Sequence, residues 1–192
     1  MLINVRGTSG AGKTTVVRNL MAQCSHQALH GALGPRLPEA YELTLPRCDP
    51  VFVIGPYLTP CGGCDRIQPF ALVPQLIEKY ARQGHVVFEG LLMSTFYGAI
   101  GKLMEMWDSV VMFLDTPLEL CIERVEARRR AAGNFRPFNP KLLAQKYATI
   151  ARQKDKFGAR AMSVSDSDAT ATIMRLLQHT PDSGGHLRDH RP

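Results

Sequence analysis

Apolar residues along this chain fall into short runs separated by longer, mixed stretches. The runs Leu2–Arg6, Val51–Gly55, Val86–Glu89, Val110–Asp115 and Ala161–Val164 have the length and continuity of strands buried on both faces. The stretches Lys13–Cys24, Pro69–Gln83, Leu91–Met106, Pro117–Ala131, Pro140–Gly158 and Asp168–Gln178 read as helices. Strand and helix alternate, which predicts an α/β fold built on a parallel sheet. The helix after Asp115 is the best signalled. Thr116 is the expected N-cap, Pro117 the first helical residue and Glu119 the reciprocal partner of a capping box. Leu118, Cys121, Ile122 and Val125 then share one apolar face, while Arg124 and Arg128, four apart, share another line. Ser25 to Arg66 is the least regular part, with prolines at 35, 38, 46, 50, 56 and 60, and is a natural place for acceptor recognition. From Thr180 onward the chain reads as a loosely held polar tail. The expected organisation is one domain over residues 1–179, with a tail at 180–192.

Gly7 to Thr14 read G-T-S-G-A-G-K-T and fit the Walker A pattern G-x-x-x-x-G-K-[ST]. The pattern sits between a strand and a helix start, where its chemistry needs it. Gly7, Gly10 and Gly12 let the backbone curl so that N–H groups point at phosphate oxygens, aided by the positive end of the next helix. The amides of Gly10, Ala11 and Gly12 hold phosphate, Lys13 bridges the β- and γ-phosphates, and the Thr14 hydroxyl ligates Mg²⁺. Thr15 is placed for an α-phosphate. The expected ligands are therefore ATP and Mg²⁺.

Size and charge narrow the setting. A chain of 192 residues with 45% hydrophobic content can bury a full core. No run of eighteen apolar residues exists, and the N-terminus leads straight into a strand, so neither a membrane span nor a signal peptide is expected. Five cysteines, an odd number, fit free thiols in a reducing cytoplasm. The net charge of +6 comes from sixteen Arg and seven Lys against seventeen acids, and the guanidinium fork suits phosphate. That favours a polyphosphate or nucleic-acid partner and leaves the choice open.

Several other residues carry candidate chemistry. Glu89, at the carboxyl end of a strand and before Gly90, lies at the edge where open α/β sheets bind ligands. It is a candidate metal-orienting group or proton acceptor. Asp115 ends its strand in the same way, but the helix start that follows gives it a structural reading. Arg124, Arg128, Arg129, Arg130 and Arg136 flank a segment, about 128–140, that looks like a lid whose arginines neutralise the transferring phosphoryl group. Cys61-Gly62-Gly63-Cys64 has metal or redox spacing, yet zinc wants four ligands and no second pair exists. It reads better as a tight loop presenting Asp65, an alternative base, and Arg66, an acceptor-phosphate contact. Tyr57, Phe96 and Tyr97 are candidates to stack on a base, against core packing as the plainer reading.

The Walker A segment, Phe88-Glu89-Gly90, and Phe113-Leu114-Asp115-Thr116-Pro117 with Glu119, Arg124 and Arg128 resemble P-loop kinases of the nucleotide/nucleoside kinase type over residues 1–178. That resemblance implies three layers around a five-stranded parallel sheet in the order 2-3-1-4-5, with an arginine-bearing lid. The Asp-Gly-x-Pro-Arg pattern of many nucleoside monophosphate kinases is replaced by Glu89-Gly90-Leu91-Leu92. Gly55-Pro56-Tyr57, Gly62-Gly63-Cys64-Asp65-Arg66-Ile67 and Glu89-Gly90-Leu91-Leu92-Met93-Ser94 are more similar to bacteriophage kinases acting on 5-hydroxymethyluracil in DNA. That implies Lys13, Glu89 or Asp65, and Arg128 in catalysis, Arg124 and Arg128 on the nucleotide, and Tyr57, Asp65, Arg66 and Arg136 on the acceptor. Two other readings remain: a kinase for a free nucleotide or small hydroxyl compound, and an NTP-driven switch.

Overall fold

The computed structural model describes residues 1–95 and 98–178. Its strands are β1 (Leu2–Arg6), β2 (Ser25–Leu29), β3 (Ala40–Thr44), β4 (Val51–Ile54), β5 (His85–Glu89), β6 (Ser109–Leu114) and β7 (Ala161–Val164). The helices are α1 (Lys13–Ala22), α2 (Leu72–Ala81), α3 (Leu91–Thr95), α4 (Gly98–Met106), α5 (Leu118–Ala131), α6 (Pro140–Gln153) and α7 (Ala169–Gln178). Phe96, Tyr97 and the tail fall outside the described residues.

All seven strands form one mixed sheet in the order β2-β3-β4-β5-β1-β6-β7. This corrects the expected five-stranded parallel sheet. The five strands read from the sequence run parallel to one another, and β2 and β3 add an antiparallel hairpin beside β4. The hairpin lies inside the proline-rich stretch expected to be irregular. Pro35 and Pro38 fall in the loop between its strands and Pro46 and Pro50 after them, so no proline interrupts a ladder. Its outer strand, Ser-His-Gln-Ala-Leu, is almost wholly exposed and carries no apolar alternation to betray it.

Central strands are buried on both faces, and neighbouring residues feed opposite layers. Leu2, Val86, Phe88 and Phe113 pack under α2, α4 and α6 with Val73, Ile77, Met104 and Ile150. Ile3, Val5, Val87, Met112 and Leu114 pack under α1 and α7 with Val16, Val17, Leu20 and Ile173. Each such side chain contributes ~1.5–3 kcal/mol through removal from water. Asn4 and Arg6 are the polar members of β1, and Arg6 carries the charge. It is fully buried, its Nε donates to Asn4 Oδ1 at 2.6 Å, and its guanidinium lies 4.5 Å from the Phe157 ring centre.

A second buried charge fastens the hairpin. Glu39 has no exposed surface and accepts from Tyr80 Oη at 2.7 Å, from the Ala32 amide at 2.5 Å and from Lys79. Burial raises its pKa, and these hydrogen bonds more than reverse that, leaving it below the ordinary value.

The start of α5 also differs from expectation. Pro117 occupies the N-cap position and the helix begins at Leu118, so no capping box forms. The Thr116 hydroxyl instead donates to the Ala11 carbonyl at 3.0 Å, tying the end of β6 to the glycine-rich loop. Of the expected apolar face, Cys121 and Val125 are buried and Leu118 and Ile122 partly so.

Candidate active site

Parallel register brings the ends of three strands together. Val5 stands opposite Glu89 and Arg6 opposite Phe113, so the loop leaving β1 runs between the ends of β5 and β6. Gly10 and Gly12 take φ of 85° and 95° there, and a Cβ on Gly10 would stand 2.3 Å from the Cys121 carbonyl oxygen. The loop is held from both sides: the Gly7 amide donates to Ser94 Oγ at 3.3 Å, and Arg124 Nη1 donates to the Gly10 carbonyl at 3.4 Å. Lys13 is 7% exposed and donates to the Thr8 carbonyl at 2.9 Å. Burial lowers its pKa, opposed by the charges of Glu89 and Asp65.

A cavity of about 520 Å³ opens over this loop. One end is lined by Gly10, Gly12, Lys13, Thr14, Thr15, Arg124, Arg128 and Asp166, the other by Pro60, Cys61, Gly62, Asp65, Arg66 and Leu91, with Glu89 also in the wall. Glu89 is 2% exposed and accepts from the Thr14 hydroxyl at 2.8 Å. Burial pushes its pKa up to about 7, against the lowering effects of Lys13 and the Thr14 hydrogen bond. Room for this carboxylate depends on Gly63, where a Cβ would lie 2.6 Å from Glu89 Oε1.

Asp65 sits on a short 3₁₀ turn, Cys64–Arg66. Its Oδ2 accepts from the Leu91 amide at 2.6 Å and its Oδ1 from the Leu92 amide at 3.0 Å, so both oxygens hold the first turn of α3. Cys61 is exposed and Cys64 buried, both are free, and no metal-holding group of three or more His, Cys, Asp or Glu occurs among the described residues.

Some sequence candidates lie elsewhere. Ala11 keeps its place in the glycine-rich loop, while its buried side chain lines a separate cavity of about 200 Å³ with Thr8, Leu114, Asp115 and Tyr147. Tyr57 is buried under Gly62 and edge-on to Tyr41, outside the lining of the larger cavity. Arg136 is exposed beyond the end of α5 and is also outside that lining.

Two contributors escape the sequence reading, and a third, Ser94, enters it only as the last residue of the Glu89–Ser94 segment. Arg18, on α1, donates to the carbonyls of Tyr57, at 2.7 Å, and Thr59, clamping the loop that forms one cavity wall. Asp166, after β7, pairs with Arg124 at 2.6 Å. Ser94 links the glycine-rich loop to α3. No motif marks Arg18 or Asp166, and all three act through a partner distant in sequence.

A family model described as 5-hmdU DNA kinase matches residues 1–171. The chain belongs to that family. A 5-hmdU DNA kinase of Pseudomonas phage PaMx11 is 34% identical over 180 residues, covering 92% of this chain and 95% of the relative. Another, of Pseudomonas phage M6, is 33% identical over 175 residues, covering 85% and 89%. Among solved structures, a gluconokinase from Sinorhizobium meliloti 1021 is similar at a TM-score of 0.48 and 21% identity, over 92% of this chain and 93% of that one. No helix among the described residues is long and apolar enough to cross a membrane.

Proposed function

We propose that this protein transfers the γ-phosphate of ATP to the hydroxymethyl group of 5-hydroxymethyluracil in DNA. The observation that carries the reading is a single cavity that joins Lys13 and Thr14 at one end to the Asp65–Arg66 turn at the other, with Glu89 in its wall. Membership of the 5-hmdU DNA kinase family supplies the acceptor.

In this reaction the acceptor hydroxyl oxygen bonds to the γ-phosphorus, the bond to the β–γ bridging oxygen breaks, and ADP leaves. The hydroxyl proton goes to the Glu89 carboxylate. Glu89 lines the same cavity that takes the acceptor, the placement a proton-accepting carboxylate requires. Asp65 is the weaker candidate base because both its oxygens already accept from backbone amides, so its role is to hold α3 and one wall of the cavity. Lys13 exchanges the Thr8 carbonyl for phosphate oxygens, and Arg128, free of ion pairs among the described residues and on the cavity wall, neutralises developing charge.

The Thr14 hydroxyl and the Glu89 carboxylate are hard oxygen donors in contact. Such a pair fits Mg²⁺, which takes one or two side-chain ligands and completes its shell with phosphates and water. Bound there, Mg²⁺ would neutralise phosphate charge. Segment 128–140 acts as the lid, and a base in a duplex reaches the cavity only by leaving the stack.

The test supplies labelled ATP with hydroxymethyluracil-containing DNA, ordinary DNA and the free hydroxymethyl nucleotides. Label on the hydroxymethyluracil DNA alone is expected. Label confined to free nucleotides, or to inorganic phosphate, overturns the assignment.

A further inference from the structure

The positive charge of this chain is concentrated in one stretch. Residues 128–160 hold ten Lys and Arg and one acid, Asp155, a net +9, whereas the whole chain carries +6. The remaining residues therefore hold thirteen basic and sixteen acidic groups and are net negative. Arg130, Arg136, Lys141, Lys146 and Arg152 are all exposed, and none is in an ion pair among the described residues. Uncompensated charge of one sign on a continuous strip fits a polyanion.

The strip begins at the cavity. Arg128 lines it, the chain turns at 132–139, and α6 returns to pack against α3, whose first residue, Leu91, lines the acceptor end. The turn has a built interior. Gly133, at φ 67°, donates to the Arg130 carbonyl at 3.0 Å and the Asn134 amide to the Arg129 carbonyl at 2.9 Å, closing α5. Arg129 donates to the Arg136 carbonyl at 2.8 Å and to Asn134 Oδ1 at 3.3 Å, and its guanidinium lies 5.8 Å from the Phe138 ring centre. Arg129 is thus used inside the turn. What the turn presents to solvent is Phe135, 81% exposed, between the charges of Arg130 and Arg136. The next most exposed large hydrophobic residue, Leu58, is at 63%.

Resting on DNA as the acceptor, we infer that the turn after α5 and the outer face of α6 form the DNA-docking surface. Arg130, Lys141 and Lys146 hold the phosphate backbone, and Phe135 stacks on a base uncovered beside the target. An aromatic ring flanked by cations is the combination that grips unstacked nucleic acid. The surface therefore lies on the basic end of α5 and the segment after it, and adds to the Asp65–Arg66 turn of region 25–66 that lines the cavity.

The test measures affinity for hydroxymethyluracil duplex DNA at several salt concentrations, for wild type, the triple variant Arg130→Gln/Lys141→Gln/Lys146→Gln, Phe135→Ala and Phe135→Trp. Lys102→Gln, an exposed lysine on α4, is the control, and melting curves confirm that each variant is folded. In the triple variant the slope of log affinity against log salt becomes shallower by about 2–3, near 0.9 per lost phosphate contact. Phe135→Ala binds about tenfold more weakly with the slope unchanged, because no charge is lost. Phe135→Trp restores binding, and its fluorescence is quenched by DNA above the background of the buried Trp107.

Wild-type slope and affinity in the triple variant, in a protein that still phosphorylates hydroxymethyluracil DNA, overturn the surface while leaving the activity standing. A wild type that labels only free nucleotides overturns both. Anionic vesicles that bind as tightly as DNA and displace it would assign the strip to a membrane and also overturn the inference.

Discussion

Replacing Glu89 by glutamine removes a charge that the fold holds at a cost. Both forms fill the same space beside Gly63, and the amide oxygen still accepts from Thr14. The difference is ionisation. In the unfolded chain Glu89 titrates near its ordinary 4.5, and in the folded protein near about 7. Below pH 4.5 both states hold the proton and no cost arises; between the two values only the unfolded state gives it up; above about 7 the full cost is borne. At about 1.4 kcal/mol per pKa unit, that cost is ~3 kcal/mol at alkaline pH and mostly absent near pH 5. Glu89→Gln should therefore gain ~2–3 kcal/mol over wild type between pH 5 and pH 8, or about 5–10 °C in Tm for a chain of this size. The assay is urea unfolding of the nucleotide-free proteins across that range, read as the difference between the two. Groups that do not interact with Glu89, including the buried His85, are common to both proteins and cancel, whereas Lys13 loses the support of the Glu89 charge in the variant and trims the gain. The same variant should lose 10²- to 10⁴-fold in phosphoryl transfer, the usual worth of a general base. Parallel stability curves for the two proteins would refute the argument that burial sets the Glu89 pKa. Near-normal turnover would remove it as the base.

Lys13→Ala should abolish transfer in a protein that still folds, checked by labelled ATP and a melting curve; a folded variant with normal turnover would end the assigned role. Asp65→Asn keeps one oxygen as an acceptor for α3 and should retain turnover within about tenfold, in contrast to Glu89→Gln. Arg18→Ala frees the loop carrying Tyr57 and Thr59 and should raise KM for the acceptor several-fold with little effect on that for ATP, a split read by steady-state kinetics. Glu39→Ala leaves the Tyr80 hydroxyl and the Ala32 amide without their acceptor and should cost ~2 kcal/mol by urea unfolding, with Lys79, half exposed, adding little.

Local chemistry made the central fold and the glycine-rich loop legible. The runs at Leu2, Val51, Val86 and Val110 are strands because apolar residues of that continuity bury both faces, a property carried by each segment alone, while the run at Ala161 forms a strand at the sheet edge and is only half-buried. Gly7 to Thr14 is equally local: spacing, glycines, lysine and threonine define the loop before any neighbour is placed. Strand ends could also be read, and this put Glu89 beside the loop.

Only tertiary structure decided the rest, because it depends on partners far apart in sequence. The hairpin of Ser25–Leu29 and Ala40–Thr44 forms because β4 offers an edge and Glu39 locks onto α2, not because its outer strand has a strand-like pattern. Thr116 has the look of a cap, but the nearby Ala11 carbonyl takes its hydroxyl. Asp65 and Glu89 are both plausible bases as residues. Their environments separate them: one carboxylate is bound to two amides, and the other is buried in contact with Thr14. Composition gave a mildly basic chain. Where the chain runs after Arg128, and that α6 packs against α3 and α5, is set by tertiary contacts that composition does not carry.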